Sequence, residues 1–167
     1  MANPIQDKTK RSIKAAEDLY YRLVLLVGEI GSGKTALLRE IADDLDAEVI
    51  NINLVLSSEL LDLTAKQRAL RLPGILDSIM DKSKSTVVLD NLEILFDQHL
   101  KQDPLRLLQS ISRNRLVLAS WNGKIEGDKL KYAEKKHPEY RSYDLLNMLF
   151  VCMDGTSTVD SPKKISG

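Results

Sequence analysis

The chain has 167 residues with 24 basic and 24 acidic side chains, giving a formal net charge of zero. That length fits one domain, and 43% hydrophobic with 29% charged residues is the balance of a soluble globular protein, not a disordered or fibrous one. The longest apolar runs, Leu23–Val27 and Met148–Met153, fall far short of a membrane span, and the lone cysteine, Cys152, excludes an internal disulfide and a cysteine-based zinc site.

Ile5, Ile13, Ala16, Leu19 and Tyr20 form a loose helical stripe, so a helix is expected within residues 1–20. R-L-V-L-L-V (22–27) is an apolar run of strand length ending at Gly28. It is polar on neither side and reads as a strand covered on both faces. Leu37, Leu38, Ile41, Ala42 and Leu45 then recur at helical spacing, and A-E-V-I-N-I (47–52) reads as a second strand. Residues 57–82 read as helix, with a capping-box pair at Thr64 and Gln67 and a break or kink at Pro73-Gly74. S-T-V-V-L-D (85–90) is a strand closing on an aspartate, and residues 104–112 are helical. R-L-V-L-A-S (115–120) is another strand, followed by a polar helix over 127–136 and a last strand within E-Y-R-S-Y (139–143). From Asp154 onward the composition is that of a flexible polar tail, which leaves a single domain over 1–153. Alternating strands and helices imply a three-layer α/β/α domain around a parallel sheet, whose ligands bind beyond the carboxyl ends of the strands.

Gly28-Glu29-Ile30-Gly31-Ser32-Gly33-Lys34-Thr35 satisfies G-x-x-x-x-G-K-[ST] between an apolar strand and an amphipathic helix. Glycines let the backbone wrap a phosphate with its N–H groups inward, at a helix N-terminus that favours an anion. In this pattern Lys34 reaches the β- and γ-phosphates and the Thr35 hydroxyl ligates Mg²⁺. Asp90, at the tip of its own strand, supplies the carboxylate that holds Mg²⁺ through water. ATP is the expected nucleotide, because N-G-K-I at 122–125 is not the guanine-reading N-K-x-D.

These elements resemble the P-loop NTPases, and the chain between them resembles the group with an inserted strand that includes RecA-like and AAA+ ATPases. The resemblance makes Arg115–Ser120 the inserted strand, and Ser120 or Asn122 the sensor of the γ-phosphate or of the attacking water. It also exposes two departures. The glutamate that usually follows the Walker B aspartate is Asn91 here, with Glu93 two residues later, so Glu93 stands in as base, or hydrolysis is slow, or the protein is chiefly a switch. Only 47 residues follow Ser120, too few for a last strand plus the usual C-terminal helical lid. Closure of the site would then need another subunit, with Arg113 (or Arg115) as an arginine finger in trans.

Other features read as ordinary surface and core. The acidic stretch Glu40, Asp43, Asp44, Asp46 and Glu48 is a solvated helix face, and Lys8, Lys10, Arg11 and Lys14 form a small solvated basic cluster. Trp121 is expected to pack near the site rather than stack on a base, and His99 and His137 have no partners of ligand type.

Over roughly 15–150 the order and spacing of V-G-E-I-G-S-G-K-T-A-L-L, V-V-L-D-N-L-E-I-L-F, L-V-L-A-S-W-N-G and H-P-E-Y resemble the small P-loop proteins of type III BREX phage-defence systems, the BrxF family. The resemblance implies a cytoplasmic Mg·ATP-binding subunit of slow turnover, without membrane contact. It would work as a homo-oligomer beside other BREX proteins such as the methyltransferase, with any DNA contact indirect. A non-hydrolysing nucleotide-binding adaptor and, less readily, a small-molecule kinase are the alternatives.

Overall fold

The computed structural model describes residues 4–80, 84–134, 136–145 and 148–158. Helix α1 (Pro4–Ala16) buries Ile13 and Ala16, and also Thr9 and Ser12. Those two hydroxyls donate back to the carbonyls of Ile5 and Lys8 at 2.7 and 2.9 Å, which satisfies polar groups that would otherwise be orphaned. Strand β1 (Leu23–Gly28) alternates between two cores. Leu23, Leu25 and Val27 face one, and Val24 and Leu26 face the other. The continuous apolar run is therefore a strand buried on both sides.

Helix α2 (Lys34–Asp44) and α1 cover one face of the sheet through Leu37, Leu38, Ile41 and Ala42 with Ile13 and Ala16. The opposite face is covered by α3 (Ile52–Leu60), α4 (Ala65–Ser78) and α5 (Pro104–Ile111). Between these run β2 (Val49–Asn51), β3 (Thr86–Asp90) and β4 (Leu116–Glu126), and β7 (Leu149–Cys152) follows later. The sheet order is β2-β3-β4-β1-β7, and all four of these pairings are parallel. The strand expected to be inserted does lie between the phosphate-loop strand and the strand of Asp90.

Three sequence expectations change. Helix α4 runs through Pro73 without a break. A proline in a helix frees the carbonyl four residues back, and here the Ala69 carbonyl accepts instead from Gln102 Nε2 at 2.7 Å. The polar stretch 127–136 is not a helix. It turns at Gly127 and forms β5 (Lys129–Tyr132), whose alternation buries Leu130 and Tyr132. The E-Y-R-S-Y segment holds β6 (Arg141–Asp144), but β5 and β6 build an antiparallel sheet on the outer half of β4. The strand that closes the parallel sheet is β7, in the apolar 148–153 run, paired with β1. A hairpin thus fills the connection from β4 to β7 that a helix would ordinarily make.

The polar segment after β7 is ordered further than its composition implies. Ser157 and Thr158 are buried, Val151 bridges to Ser157, and the expected tail retains only residues 159–167 outside the described part. No helix among the described residues is long and apolar enough to cross a membrane.

Candidate functional site

The carboxyl ends of the three adjacent strands β3, β4 and β1 converge on one cleft of about 360 Å³, bordered by the loop 30–35, Asp90, Asn91, Glu93 and Asn122. The loop after β1 turns at Gly31 (φ 82°) and Gly33 (φ 96°), backbone conformations that side chains with a Cβ disfavour. Gly33 then caps α2, so the loop opens directly onto a helix N-terminus. Lys34 is buried and curls back into this loop, with Nζ donating to the carbonyls of Gly28 at 2.8 Å and Glu29 at 2.7 Å. Burial pulls its ammonium below its ordinary pKa, against the opposing pull of Asp90, Glu93 and Glu29.

Asp90 is buried at the tip of β3, and both of its oxygens are engaged. Thr35 Oγ1 donates to Oδ2 at 2.7 Å, and Ser120 Oγ donates to Oδ1 at 2.7 Å. One carboxylate therefore ties the phosphate loop to the tips of two strands. Thr35 and Asp90 offer hard oxygen donors side by side, the kind of partial set Mg²⁺ accepts when phosphates and water supply its remaining ligands. Among the described residues no group of three or more His, Cys, Asp or Glu could hold a metal unaided. The donor set fits a nucleotide-borne Mg²⁺ and not a resident ion.

Asn91 takes a left-handed conformation, φ 55°, which asparagine tolerates better than most residues. That turn redirects the chain so that Glu93 opens a short 3₁₀ turn (Glu93–Phe96) and lines the cleft. The Glu93 carboxylate is gripped from two sides. Asn53 Nδ2 donates to Oε2 at 2.8 Å, and the Asn122 amide donates to Oε1. Asn53 is in turn fixed by the Ile94 amide on its Oδ1 at 2.7 Å and by its own amide on the Asn91 carbonyl at 2.9 Å.

Lys34, Thr35, Asp90, Glu93, Ser120 and Asn122 are therefore brought together, along with the loop Gly28–Gly33. Arg113 is not. It precedes β4, at the opposite end of the strands, with its guanidinium 4.8 Å over the Tyr20 ring. Arg115 is buried against Asp77 at 3.2 Å. Neither belongs to this chain's own cleft. Trp121 packs as expected, edge-on to Phe96 and Tyr143. Sequence reasoning missed Asn53. Polar residues just beyond an apolar strand were sought after β3 and β4, and the same rule applied to the end of V-I-N-I-N finds it.

Residues 24–115 match the family described as "AAA: ATPase family associated with various cellular activities". Among solved structures, the chain is similar to Caenorhabditis elegans PCH-2, with 22% identity, 74% of this chain and 37% of that chain covered, and a TM-score of 0.41. It is also similar to AMPPCP-bound DnaA from Aquifex aeolicus, with 15% identity, coverages of 77% and 39%, and a TM-score of 0.42. The chain thus spans under two fifths of either structure's length. No curated protein matches. With more than half of its length matched, and with the phosphate loop, Asp90 and the inserted strand in one α/β/α sheet, the chain belongs to the AAA family of ATPases.

Proposed function

We propose that the cleft binds Mg·ATP and hydrolyses it slowly, as a nucleotide-dependent switch or assembly motor. The observation that carries this is the Thr35–Asp90–Ser120 chain of hydrogen bonds beside the phosphate loop. On nucleotide entry the loop amides and the α2 N-terminus take the phosphates, and Lys34 exchanges two backbone carbonyls for phosphate oxygens. Mg²⁺, when bound, neutralises charge on the phosphates. Water attacks the γ-phosphorus, the bond to the β–γ bridging oxygen breaks, ADP departs, and the water's proton passes to Glu93. Both Glu93 oxygens carry amide hydrogen bonds, so the base is held in check and turnover is slow.

Asn91 in the position next to Asp90, together with the gripped Glu93, favours a second reading, a non-hydrolysing nucleotide-bound adaptor. No acceptor-binding arginine cluster lines the cleft, which leaves the kinase reading without support. The BREX role, a homo-oligomeric state, partnership with other BREX proteins including the methyltransferase, and a cytoplasmic location rest on the motif resemblance. An indirect DNA role fits the basic patch of α1, where Lys10 pairs with Asp44 at 2.7 Å and Lys8 bonds the Gly155 carbonyl at 2.5 Å.

Phosphate release by wild type, Lys34→Ala, Asp90→Asn and Glu93→Gln at several protein concentrations tests the reading. Wild-type turnover should exceed that of all three variants and rise with concentration if subunits complete one another's sites. Equality of wild type and Lys34→Ala would establish the adaptor instead. Solution mass with and without Mg·ATP tests assembly.

A further inference from the structure

We infer that Tyr132 is a positioning residue by which this site distinguishes a nucleoside triphosphate from a diphosphate, acting through Glu93 and Asn122. The inference rests on the reading of the cleft as an Mg·ATP site.

Strand β4 does not end at the cleft. It carries Ser120 and Asn122 past the phosphate loop and continues into the hairpin with β5, where Gly123 stands opposite Tyr132. The two strands approach so closely there that a Cβ on Gly123 would lie 1.8 Å from the Lys131 carbonyl oxygen. The Trp121 indole N–H donates to that same carbonyl at 3.1 Å. Tyr132 is thereby locked one residue beyond Asn122. Its ring stacks on Phe96 with centroids 3.5 Å apart and planes 8° from parallel, and meets the edge of Trp121 at 6.0 Å. Phe96 closes the same short turn that Glu93 opens. One aromatic ring therefore spans the two elements that carry Glu93 and Asn122.

The outer side of Tyr132 borders a second cavity, about 440 Å³, that shares Ile30 and Asn122 with the phosphate cleft. The phenol is raised above its ordinary pKa by burial first, and then by the carboxylates of Glu93 and Glu139. It stays a neutral hydrogen-bond donor within the field of Glu93.

A γ-phosphate entering the cleft competes for the Asn122 amide, which now serves Glu93. The Glu93 oxygen so released needs a new donor, because a partly buried carboxylate without one is costly. Tyr132 supplies it. ADP has no γ-phosphate, leaves Asn122 on Glu93 and makes no demand on Tyr132.

Calorimetric titration of wild type and Tyr132→Phe, each with Mg²⁺ and either ADP or a non-hydrolysable ATP analogue, tests this without requiring turnover. Phenylalanine keeps the stacked ring, and the ADP affinity reports whether the loop is intact. The expected result is analogue affinity lowered about tenfold, the scale of one hydrogen bond to a charged acceptor, with ADP affinity unchanged. Equal effects on both nucleotides, or no effect on either, would overturn the role of Tyr132 while leaving the nucleotide site standing. If wild type binds neither nucleotide, the site reading falls and this inference falls with it.

Discussion

Ser120 donates its hydroxyl to Oδ1 of Asp90 across 2.7 Å, joining the tips of two neighbouring parallel strands at the point where the phosphate loop meets them. Both residues are buried, so the bond is protected from competing water. Ser120→Ala leaves a buried carboxylate with one donor instead of two. It should cost about 1–3 kcal/mol of stability in denaturant unfolding and weaken binding of Mg·ATP. An unchanged midpoint would mean that the bond is not made in solution.

Gly123 permits the hairpin to close on β4. Gly123→Ala forces a methyl group into the Lys131 carbonyl, and backbone cannot swing aside as a flexible side chain does. The expected loss is about 1–3 kcal/mol or more, with hydrogen exchange accelerated in β5 and little changed in β1. Gly127→Ala, with φ 63° but open space around its Cβ position, separates conformational strain from collision.

Asn53 restrains the presumed base. Asn53→Ala removes one of the two amides on Glu93 and is expected to raise single-turnover hydrolysis about 2- to 10-fold, the scale of one charged hydrogen bond. Asn53→Ala combined with Glu93→Gln should fall to the level of Glu93→Gln alone. A rate that drops in the single variant would make Asn53 a support for catalysis and not a restraint.

Lys34 should make nucleotide affinity fall on the alkaline side. Burial depresses its pKa in the ligand-free loop, whereas a bound triphosphate raises it, so binding above the depressed value takes up a proton. Affinity is full below that pKa and is lost as pH rises through it. Titrations from about pH 7 to about pH 10 should show this in wild type. Lys34→Arg, charged throughout, should give a flat profile.

Cys152 is buried at the end of β7, and burial, with a contribution from Asp154, pushes its thiol up to about 12. At mildly alkaline pH it should resist thiol reagents until the chain unfolds, so labelling rates should track denaturant unfolding.

The phosphate loop, Asp90 and the inserted strand were legible because each rests on local pattern, namely apolar runs bounded by Gly, Asp or Ser. What was illegible depends on distant partners. Nothing near Pro73 announces Gln102, which lets α4 continue. K-L-K-Y reads as polar, yet its alternation is that of a strand with one face on Phe96 and Trp121. The 148–153 run was weighed only as a membrane candidate, because a four-residue strand after a hairpin has no periodicity of its own. Glu93 was legible as a candidate, but the grip of Asn53 and Asn122 on it came only with the fold.

The turn after β7 has a consequence for how copies of this chain can meet. The outward amides of Phe150 and Cys152 are taken by Thr158 Oγ1 at 3.1 Å and by the Thr156 carbonyl at 2.7 Å. An exposed strand margin invites another chain to add to it, and here the polypeptide hems its own margin. The opposite margin, β2, is only three residues long. Continuous sheets across subunits are thereby discouraged, and contacts between copies fall to side chains on helices and on the hairpin.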